Sequence, residues 1–375
     1  MSRERRAWAY LSRVAEPPGP ELATLAARVG PVEAAERVVR GAVCAQLARH
    51  TEARRDIDCT AEDLDRIDRL GGRLITPDAE EWPALAFTAF NGVDLRYHPA
   101  GVAPLALWAL GGAHIDEAAL RATAVVGTRA ATVYGEHVAA DLAAGLSERG
   151  VAVVSGAAYG IDGAAHRAAL AVDGCTIAVL AGGPDVPYPS GHSALLHRIQ
   201  RFGLVISEYP PGIRPARHRF LVRNRLVAAL SGATVVVEAG LRSGAANTAA
   251  WARALGRVVC AVPGPVTSSA SAGCHKLIRG GADLVTRSDE IIEIIGRAGE
   301  FADEQENRSS ALDELTDVGK RVYEALPARG VRSTDEMSIE SGLPVAQLQG
   351  QLALLELGGL VVRDDDRWRL RRPPR

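Results

Sequence analysis

The sequence VAVVSGAAYGIDGAAHRAAL, residues 151–170, predicts a buried β-strand that leads through a loop of small residues into an α-helix. The apolar run at 151–155 has the length and composition of a strand covered on both faces. The glycines at 156 and 160 suit a tight turn, and we expect the helix to run from Gly163 to Asp173. This succession of strand, loop and helix is the unit from which parallel α/β sheets are built.

The same unit recurs on both sides of this segment. Continuous runs of Val, Ile and Ala indicate strands buried on both faces, which require helices above and below a parallel sheet. Right-handed crossovers then give an α/β fold with an extended, Rossmann-like, doubly wound and mostly parallel sheet. The other predicted strands are 73–76, 105–110, 122–127, 175–180, 204–207, 233–237 and 258–262, and the other predicted helices are 135–149, 193–202, 223–230 and 247–255.

Two further regions flank the predicted Rossmann-like core, residues 71–298. Residues 1–70 predict a small helical domain of the SAM or helix-hairpin-helix kind, with helices at 21–29 and 32–47 and a third that Thr60 caps. Residues 299–315 are polar and predict a linker. In residues 316–372, three helices and a two-stranded hairpin form a winged-helix pattern: helices 318–326, 333–341 and 344–357, strands 360–363 and 367–370.

Composition excludes several classes of protein. The net charge is −2, so the overall charge gives no indication of nucleic-acid binding. Any basic surface for such a ligand must be local. The five cysteines form no CxxC pair, so we expect reduced thiols and neither a metal site nor a disulfide framework. No signal peptide and no apolar run of membrane-spanning length is present, so we expect a cytoplasmic protein with no membrane partner and no cofactor.

Small-residue loops follow the predicted strands at 126–129, 155–162, 181–184, 207–212 and 238–245. Ligands of open parallel sheets bind beyond the carboxyl ends of the strands, where glycines let the backbone approach a phosphate. One such loop is weak evidence, because tight turns need glycine anyway, but five along one edge favour a phosphate-binding face. The candidate residues in these loops are Gly127, Thr128, Arg129, Ser155, Gly156, Gly160, Ser243 and Gly244.

The segment IRPARHRFLVRNR, residues 213–225, holds five arginines, one histidine and no acidic residue around Phe220. Cations that follow phosphates, together with an aromatic ring that stacks a base, suit single-stranded nucleic acid. A solvated basic loop with Phe220 in the core, or arginines that bond to nearby loop carbonyls, fits the spacing equally well. The candidates are Arg217, His218, Arg219, Phe220, Arg223, Asn224 and Arg225.

An enzymatic interpretation competes with binding. Glu208 and Glu238 follow predicted strands and could act as acid and base in a hydrolase of nucleoside monophosphates. No histidine or second carboxylate completes such a mechanism, so we favour buried hydrogen-bonding roles for both. We likewise expect His166 and Cys274 to be structural, and Asp162 to lie at a helix N-cap.

In order along the chain, these motifs resemble the DNA-processing protein A family (DprA, also called Smf). The resemblance spans about residues 70–290. It rests on VVGTR at 125–129, SGAAYGID at 155–162, TIAVLAGG at 176–183, YP at 188–189, ISE at 206–208, Phe220 with RNR at 223–225, SG at 243–244 and AVPG at 261–264.

The resemblance implies a protein without catalytic activity that binds single-stranded DNA in a basic pocket. It also implies a homodimer formed through the core and loading of the RecA recombinase during transformation. Arg129 matches the family's phosphate-binding arginine, Phe220 its base-stacking aromatic and Arg217 a frequently basic position, and residues 223–225 match its RNR signature. Leu221 and His275 depart from the common proline and asparagine without removing a cation or the aromatic ring.

The winged-helix region offers a third possible DNA-binding surface. Residues 364–366, three consecutive aspartates, fall in the predicted wing, where they would repel phosphate. We therefore expect this region to contact protein, and the core to contact DNA.

Overall fold

The computed structural model of the protein describes residues 2–296, 315–327 and 330–371. The chain divides into two compact units, residues 1–300 and 301–375. The predicted linker at 299–315 lies outside the described residues except for Leu315.

The first unit is built on a nine-stranded sheet with the order β1-β2-β6-β5-β4-β3-β7-β8-β9. Strands β3 to β9 run parallel, while β1 and β2 are antiparallel to their neighbours. The predicted mostly parallel α/β fold is therefore confirmed. The strands are β1 Gly72–Ile75, β2 Leu107–Leu110, β3 Ala122–Val126, β4 Ala152–Ser155, β5 Thr176–Val179, β6 Leu204–Ser207, β7 Ala233–Val236, β8 Val258–Ala261 and β9 Asp283–Leu284.

Helices cover both faces of this sheet, as buried strands require. They are α1 Arg3–Val14, α2 Pro20–Val29, α3 Pro31–Val39, α4 Ala45–Thr51, α5 Thr60–Arg69, α6 Ala84–Phe87, α7 Ile115–Leu120, α8 Val133–Glu148, α9 Ile161–Ala171, α10 Ser193–Phe202, α11 Arg217–Ala229, α12 Gly244–Ala254, α13 Ala272–Arg279 and α14 Ser288–Ile295.

Several predicted helix boundaries are wrong. The helix expected over 32–47 is two helices, α3 and α4, because the chain turns at Gly41 with a φ of 69°. Thr60 is the first residue of α5 and not its cap, which is Cys59. The helix expected from Arg223 begins six residues earlier, at Arg217, directly after the extended residue Ala216.

The N-terminal helices form one layer of the core. Alternate residues of the strands divide between the two faces of the sheet, so that Trp108 and Val205 point to the face that α1, α2, α3 and α5 cover. The indole Nε1 of Trp108 also donates to Ser12 Oγ, 3.2 Å away in α1. The predicted boundary at residue 70 thus marks a change of secondary structure inside one compact unit.

The strand order reverses at β3, which fixes where the loops of the site meet. Strands β4, β5 and β6 follow on one side of β3, and β7 and β8 lie on the other. The loops after β3 and β7 flank the resulting crevice, where doubly wound sheets bind their ligands. The amide of Thr128 donates to the carbonyl of Glu238 across it, at 2.7 Å.

The second unit has the predicted winged-helix pattern. Its helices are α15 Asp317–Glu324, α16 Thr334–Ser341 and α17 Val345–Leu357, and its strands are β10 Arg332–Ser333, β11 Val361–Asp364 and β12 Arg367–Leu370. The strands form an antiparallel sheet in the order β10-β12-β11. Val322, Met337, Leu348, Leu352 and Trp368 form its small core.

Within residues 2–296, 315–327 and 330–371, each helix is too short or too polar to cross a lipid bilayer.

Replacing Trp108 with alanine tests the packing of the N-terminal layer on the sheet. Trp108 is fully buried, so we expect Trp108→Ala to lower the free energy of unfolding by about 3–5 kcal/mol. Chemical denaturation followed by circular dichroism measures the change. Tyr97→Ala is the control, because Tyr97 is 78% exposed and its loss should change stability by less than about 0.5 kcal/mol. Equal effects of the two substitutions would contradict the described packing.

Candidate functional site

Arg129 and Phe220, which are far apart in sequence, meet at the carboxyl edge of the sheet. Arg129 lies in the loop after β3, and Phe220 lies in the first turn of α11. The guanidinium carbon of Arg129 is 5.3 Å from the centroid of the Phe220 ring, within cation–π range. Tyr188 packs against the same ring, with centroids 5.2 Å apart. All three side chains line one open cavity, together with Gly156, Ala158, Tyr159 and Pro189.

Three arginines, in the loop after β3 and at or just before the start of α11, point to solvent without an acidic partner. Arg129, Arg214 and Arg217 are exposed. Among the residues that the structure describes, no carboxylate lies within 4.0 Å of their guanidinium groups. Their charge is therefore available to an anion in solution.

Arg223, a predicted DNA contact, points into the core. Its side chain is buried and donates to the carbonyl oxygens of Gly156, at 2.9 Å, and Val179. Burial lowers the pKa of Arg223 to about 10, although the nearby carboxylate of Asp162 opposes that change. The predicted direct contact with DNA is not supported, because the guanidinium is buried and already donates to two carbonyl oxygens.

Asn224 and Arg225 are also turned inward. The Arg225 side chain is fully buried, with Nη2 2.5 Å from Glu208 Oε1. Burial raises the pKa of Glu208, and the charge of Arg225 partly offsets this. Asn224 Nδ2 donates to the carbonyl of Gly244 and to Asn247 Oδ1. The RNR triplet therefore anchors α11 in the core, as the structural alternative in the sequence suggested.

The carboxylate of Glu16, in the segment after α1, binds Arg219 and His218, two further residues that were predicted to contact DNA. Arg219 Nε and Nη2 lie 2.6 and 2.9 Å from the two Glu16 oxygens, and His218 Nε2 lies 3.2 Å away. Arg54 also donates to Glu16, at 2.9 Å. Burial alone would raise the pKa of Glu16, but hydrogen bonds from Arg219 and Arg54 hold it below its usual value. Arg219 also packs over the ring of Tyr209 and is largely removed from solvent.

The loop amides expected to bind phosphate already have partners. Asp162 Oδ2 accepts from the amides of Gly156 and Ala158, at 3.1 and 3.3 Å. Burial raises the pKa of Asp162, while Arg223 and the two amides act in the opposite direction. Asp162 lies in the first turn of α9, but the N-cap is Gly160. Its carboxylate therefore orders the loop that precedes the helix.

The glycines and serines of the predicted face hold the loops against one another. A Cβ on Gly160 would collide with the carbonyl of Thr128, and one on Gly127 with the side chain of Ile161. Ser155 Oγ donates to the Val125 carbonyl at 2.6 Å. Ser243 caps α12 by accepting from the Ala246 amide, and Gly244 is the first residue of that helix. These positions hold small residues because the loops approach one another closely.

Glu238 and His166 have the structural roles that we expected. The carboxylate of Glu238 accepts from the amide and the hydroxyl of Thr132, at 2.9 and 2.6 Å. His166 is fully buried, with Nδ1 2.7 Å from Thr176 Oγ1, and burial lowers its pKa to about 3. With Glu208 paired to Arg225, neither glutamate presents a free carboxylate to a substrate.

Cys274 is a buried thiol whose pKa burial raises to about 11, so it has no nucleophilic character at neutral pH. His275 Nε2 lies 3.0 Å from the carbonyl of Gly264. In the described part of the chain, no cluster of His, Cys, Asp and Glu side chains could hold a metal ion.

Residues 73–296 match the family model of DNA recombination-mediator protein A. The chain belongs to this family. A second model, the DprA winged helix domain, matches residues 306–367. The family resemblance found in the sequence is thereby confirmed.

Bacterial members of the DprA family show how far the similarity extends. A DNA processing protein DprA of Mycobacterium tuberculosis is 67% identical over 367 residues, which are 98% of this chain and 94% of the relative. Protein Smf of Escherichia coli is 39% identical over 241 residues, 64% of each chain. The X-ray structure of DprA from Streptococcus pneumoniae superposes with a TM-score of 0.63 at 29% identity, covering 78% of this chain and 97% of that one.

Comparing Arg223 with Arg129 tests the division between anchoring and exposed arginines. Arg223→Ala leaves the carbonyls of Gly156 and Val179 unpaired in the core, which costs about 1–3 kcal/mol for each group. Arg129→Ala removes an exposed side chain, and its effect on stability should stay within about 0.5 kcal/mol. Urea denaturation measures both. A large loss of stability with Arg129→Ala would contradict the assignment.

Proposed function

We propose that this protein binds single-stranded DNA at the cavity between Arg129 and Phe220, protects it, and loads the RecA recombinase onto it. The observation that carries the proposal is the pairing of an exposed, unneutralised guanidinium with a partly exposed aromatic ring in one open cavity. This pairing supplies the two contacts that single-strand binding needs, a cation for the phosphate and a ring for the base.

In this proposal Arg129 and Arg217 contact phosphates, and Phe220 stacks a base. The loop amides contribute little, because Asp162 and Glu238 already accept from those of Gly156, Ala158 and Thr128. Duplex DNA is excluded because its bases are paired and stacked, so that none is free to meet Phe220. Recognition is independent of sequence, since every base has a face that can stack.

The relatives support the biological setting. The family model is that of a recombination mediator, and relatives in Mycobacterium tuberculosis and Streptococcus pneumoniae are named for DNA processing. We include RecA loading, a homodimer and a cytoplasmic location in the proposal because the chain belongs to this family. A dimer would present two cavities to one strand, which raises the effective affinity for long strands.

The surroundings of the carboxylates of Glu208 and Glu238 support binding without catalysis. Glu208 is paired with Arg225, and Glu238 is held by Thr132. Release of free base from nucleoside monophosphates, lost in Glu238→Gln, would instead support the hydrolase.

Substitutions in the cavity test single-strand binding directly. We expect Phe220→Ala to weaken binding of oligothymidylate by about 1–3 kcal/mol, the contribution of one stacked base. Arg129→Ala should weaken binding and lower the log–log slope of affinity against salt by about 0.7, the contribution of one phosphate contact. Fluorescence anisotropy with labelled single-stranded and duplex DNA measures these effects.

The chain offers a matched control. Arg201 lies over the ring of Phe202 at 5.3 Å, the same separation as for Arg129 and Phe220, and Phe202 is 55% exposed at the end of α10. Arg201→Ala and Phe202→Ala should therefore leave single-strand binding unchanged. Equal losses in the two pairs, or equal affinity of the wild-type protein for single-stranded and duplex DNA, would refute the proposal.

The winged-helix unit should not be required for binding. Its helix α17 has neither lysine nor arginine, and three aspartates lie at 364–366. A protein that ends at residue 303 should retain affinity for single-stranded DNA within about threefold, since the exposed arginines of the cavity remain. Gel shifts of the full and shortened chains measure this. Loss of binding would assign the DNA contact to the winged helix.

A further inference from the structure

Tyr159 is an exposed aromatic residue beside the Phe220 cavity that has no role in the contacts described so far. Its ring is 47% exposed, and it lines the same cavity as Arg129 and Phe220. It lies in the loop between β4 and α9, and thus reaches the cavity from a different element than Phe220 does. An exposed ring at this place gives a strand a second surface for stacking.

The loop that carries Tyr159 is held in one conformation. Asp162 accepts from the amides of Gly156 and Ala158, and Arg223 donates to the Gly156 carbonyl. Gly160 follows Tyr159 with a φ of 72° and approaches the Thr128 carbonyl too closely for a side chain. The position of the ring is therefore set before any ligand arrives, which reduces the entropy lost on binding.

His192 fixes the orientation of the ring. The imidazole and the Tyr159 ring pack in a T-shaped arrangement, with centroids 4.8 Å apart and planes inclined at 71°. His192 is itself buried, with Nδ1 3.0 Å from the Ala157 carbonyl. The Tyr159 hydroxyl lies against Gly191, where a Cβ would be 2.5 Å away. These contacts restrict the tilt of the ring and the position of its hydroxyl end.

Arg167 places a positive charge near the imidazole that packs against this ring. A Cβ on Gly163 would lie 2.6 Å from His192 Cε1 and 3.1 Å from Arg167 Nη1, so the guanidinium is adjacent to the imidazole that Tyr159 contacts. Arg167 is exposed, and across the residues that the structure describes no carboxylate comes within ion-pair distance of it. An exposed ring and a cation without an acidic partner thus both lie near the His192 imidazole.

We propose that Tyr159 and Arg167 form a second nucleotide position, in which a neighbouring base stacks on Tyr159 and its phosphate contacts Arg167. This position rests on the proposed function, because it extends the same strand beyond Phe220. It accounts for the exposed ring, its fixed orientation and the unneutralised cation near His192. The ligand is a single strand of at least two nucleotides, of any sequence.

The test measures binding of oligothymidylate by the full chain, using fluorescence anisotropy over a range of salt concentrations. We expect Tyr159→Ala to weaken binding about tenfold, while Tyr159→Phe keeps the ring and stays within about twofold. Arg167→Gln should lower the log–log salt slope by about 0.7. On a strand of the same length without bases, Tyr159→Ala should bind as the wild type does.

Tyr97→Ala and Arg201→Gln are the controls, since both residues are exposed and lie outside the cavity. Thermal unfolding of each variant checks folding, and Tyr159→Leu replaces the alanine variant if that one unfolds. Unchanged affinity without the Tyr159 ring, or an unchanged slope in Arg167→Gln, overturns the second position. If Phe220→Ala still weakens binding in that case, the proposed function stands. If Phe220→Ala has no effect either, the proposed function itself fails.

Discussion

Two buried guanidinium groups on one helix determine where the site lies. Arg223 and Arg225 of α11 are both withdrawn from water, and a buried charge is tolerated only where hydrogen bonds or an opposite charge surround it. Arg223 meets this condition at the ends of β4 and β5, and Arg225 meets it at Glu208 after β6. These anchors fix both the position and the rotation of α11, so that Phe220, one turn earlier, faces Arg129.

The basic segment 213–225 therefore divides into residues with different roles. Arg223 and Arg225 stabilise the fold, Arg219 is neutralised by Glu16, and Arg214 and Arg217 remain exposed. Position along the chain makes this division: the side chains of Arg223 and Arg225 enter the core, whereas Arg217 is the first residue of α11 and Arg214 precedes the helix. The charge open to DNA is consequently smaller than the composition of the segment indicates, and it depends on Arg129 from another loop.

The sequence predicted most strands of the sheet and about half of the residues that form the site. Strand β6 and helix α10 have their predicted bounds because uninterrupted apolar or amphipathic runs define them. The meeting of Arg129 and Phe220 followed from the rule that strand ends share one edge. Glu16 was missed because His218 and Arg219 lie some two hundred residues away and no spacing indicates these contacts. Tyr159 was missed because exposure of one ring in a small-residue loop depends on packing of the whole edge.

The helices that precede the residues matched by the family model pack on the same sheet as those residues and form one folded unit with them. The match begins at residue 73, yet Leu11, Leu64 and Ile67 are fully buried in the cluster that covers one face of the sheet. A fragment cut at that boundary would expose this apolar face to water and leave Arg219 without its counter-charge. The start of the family model therefore does not coincide with the start of the folding unit, which begins near the first helix.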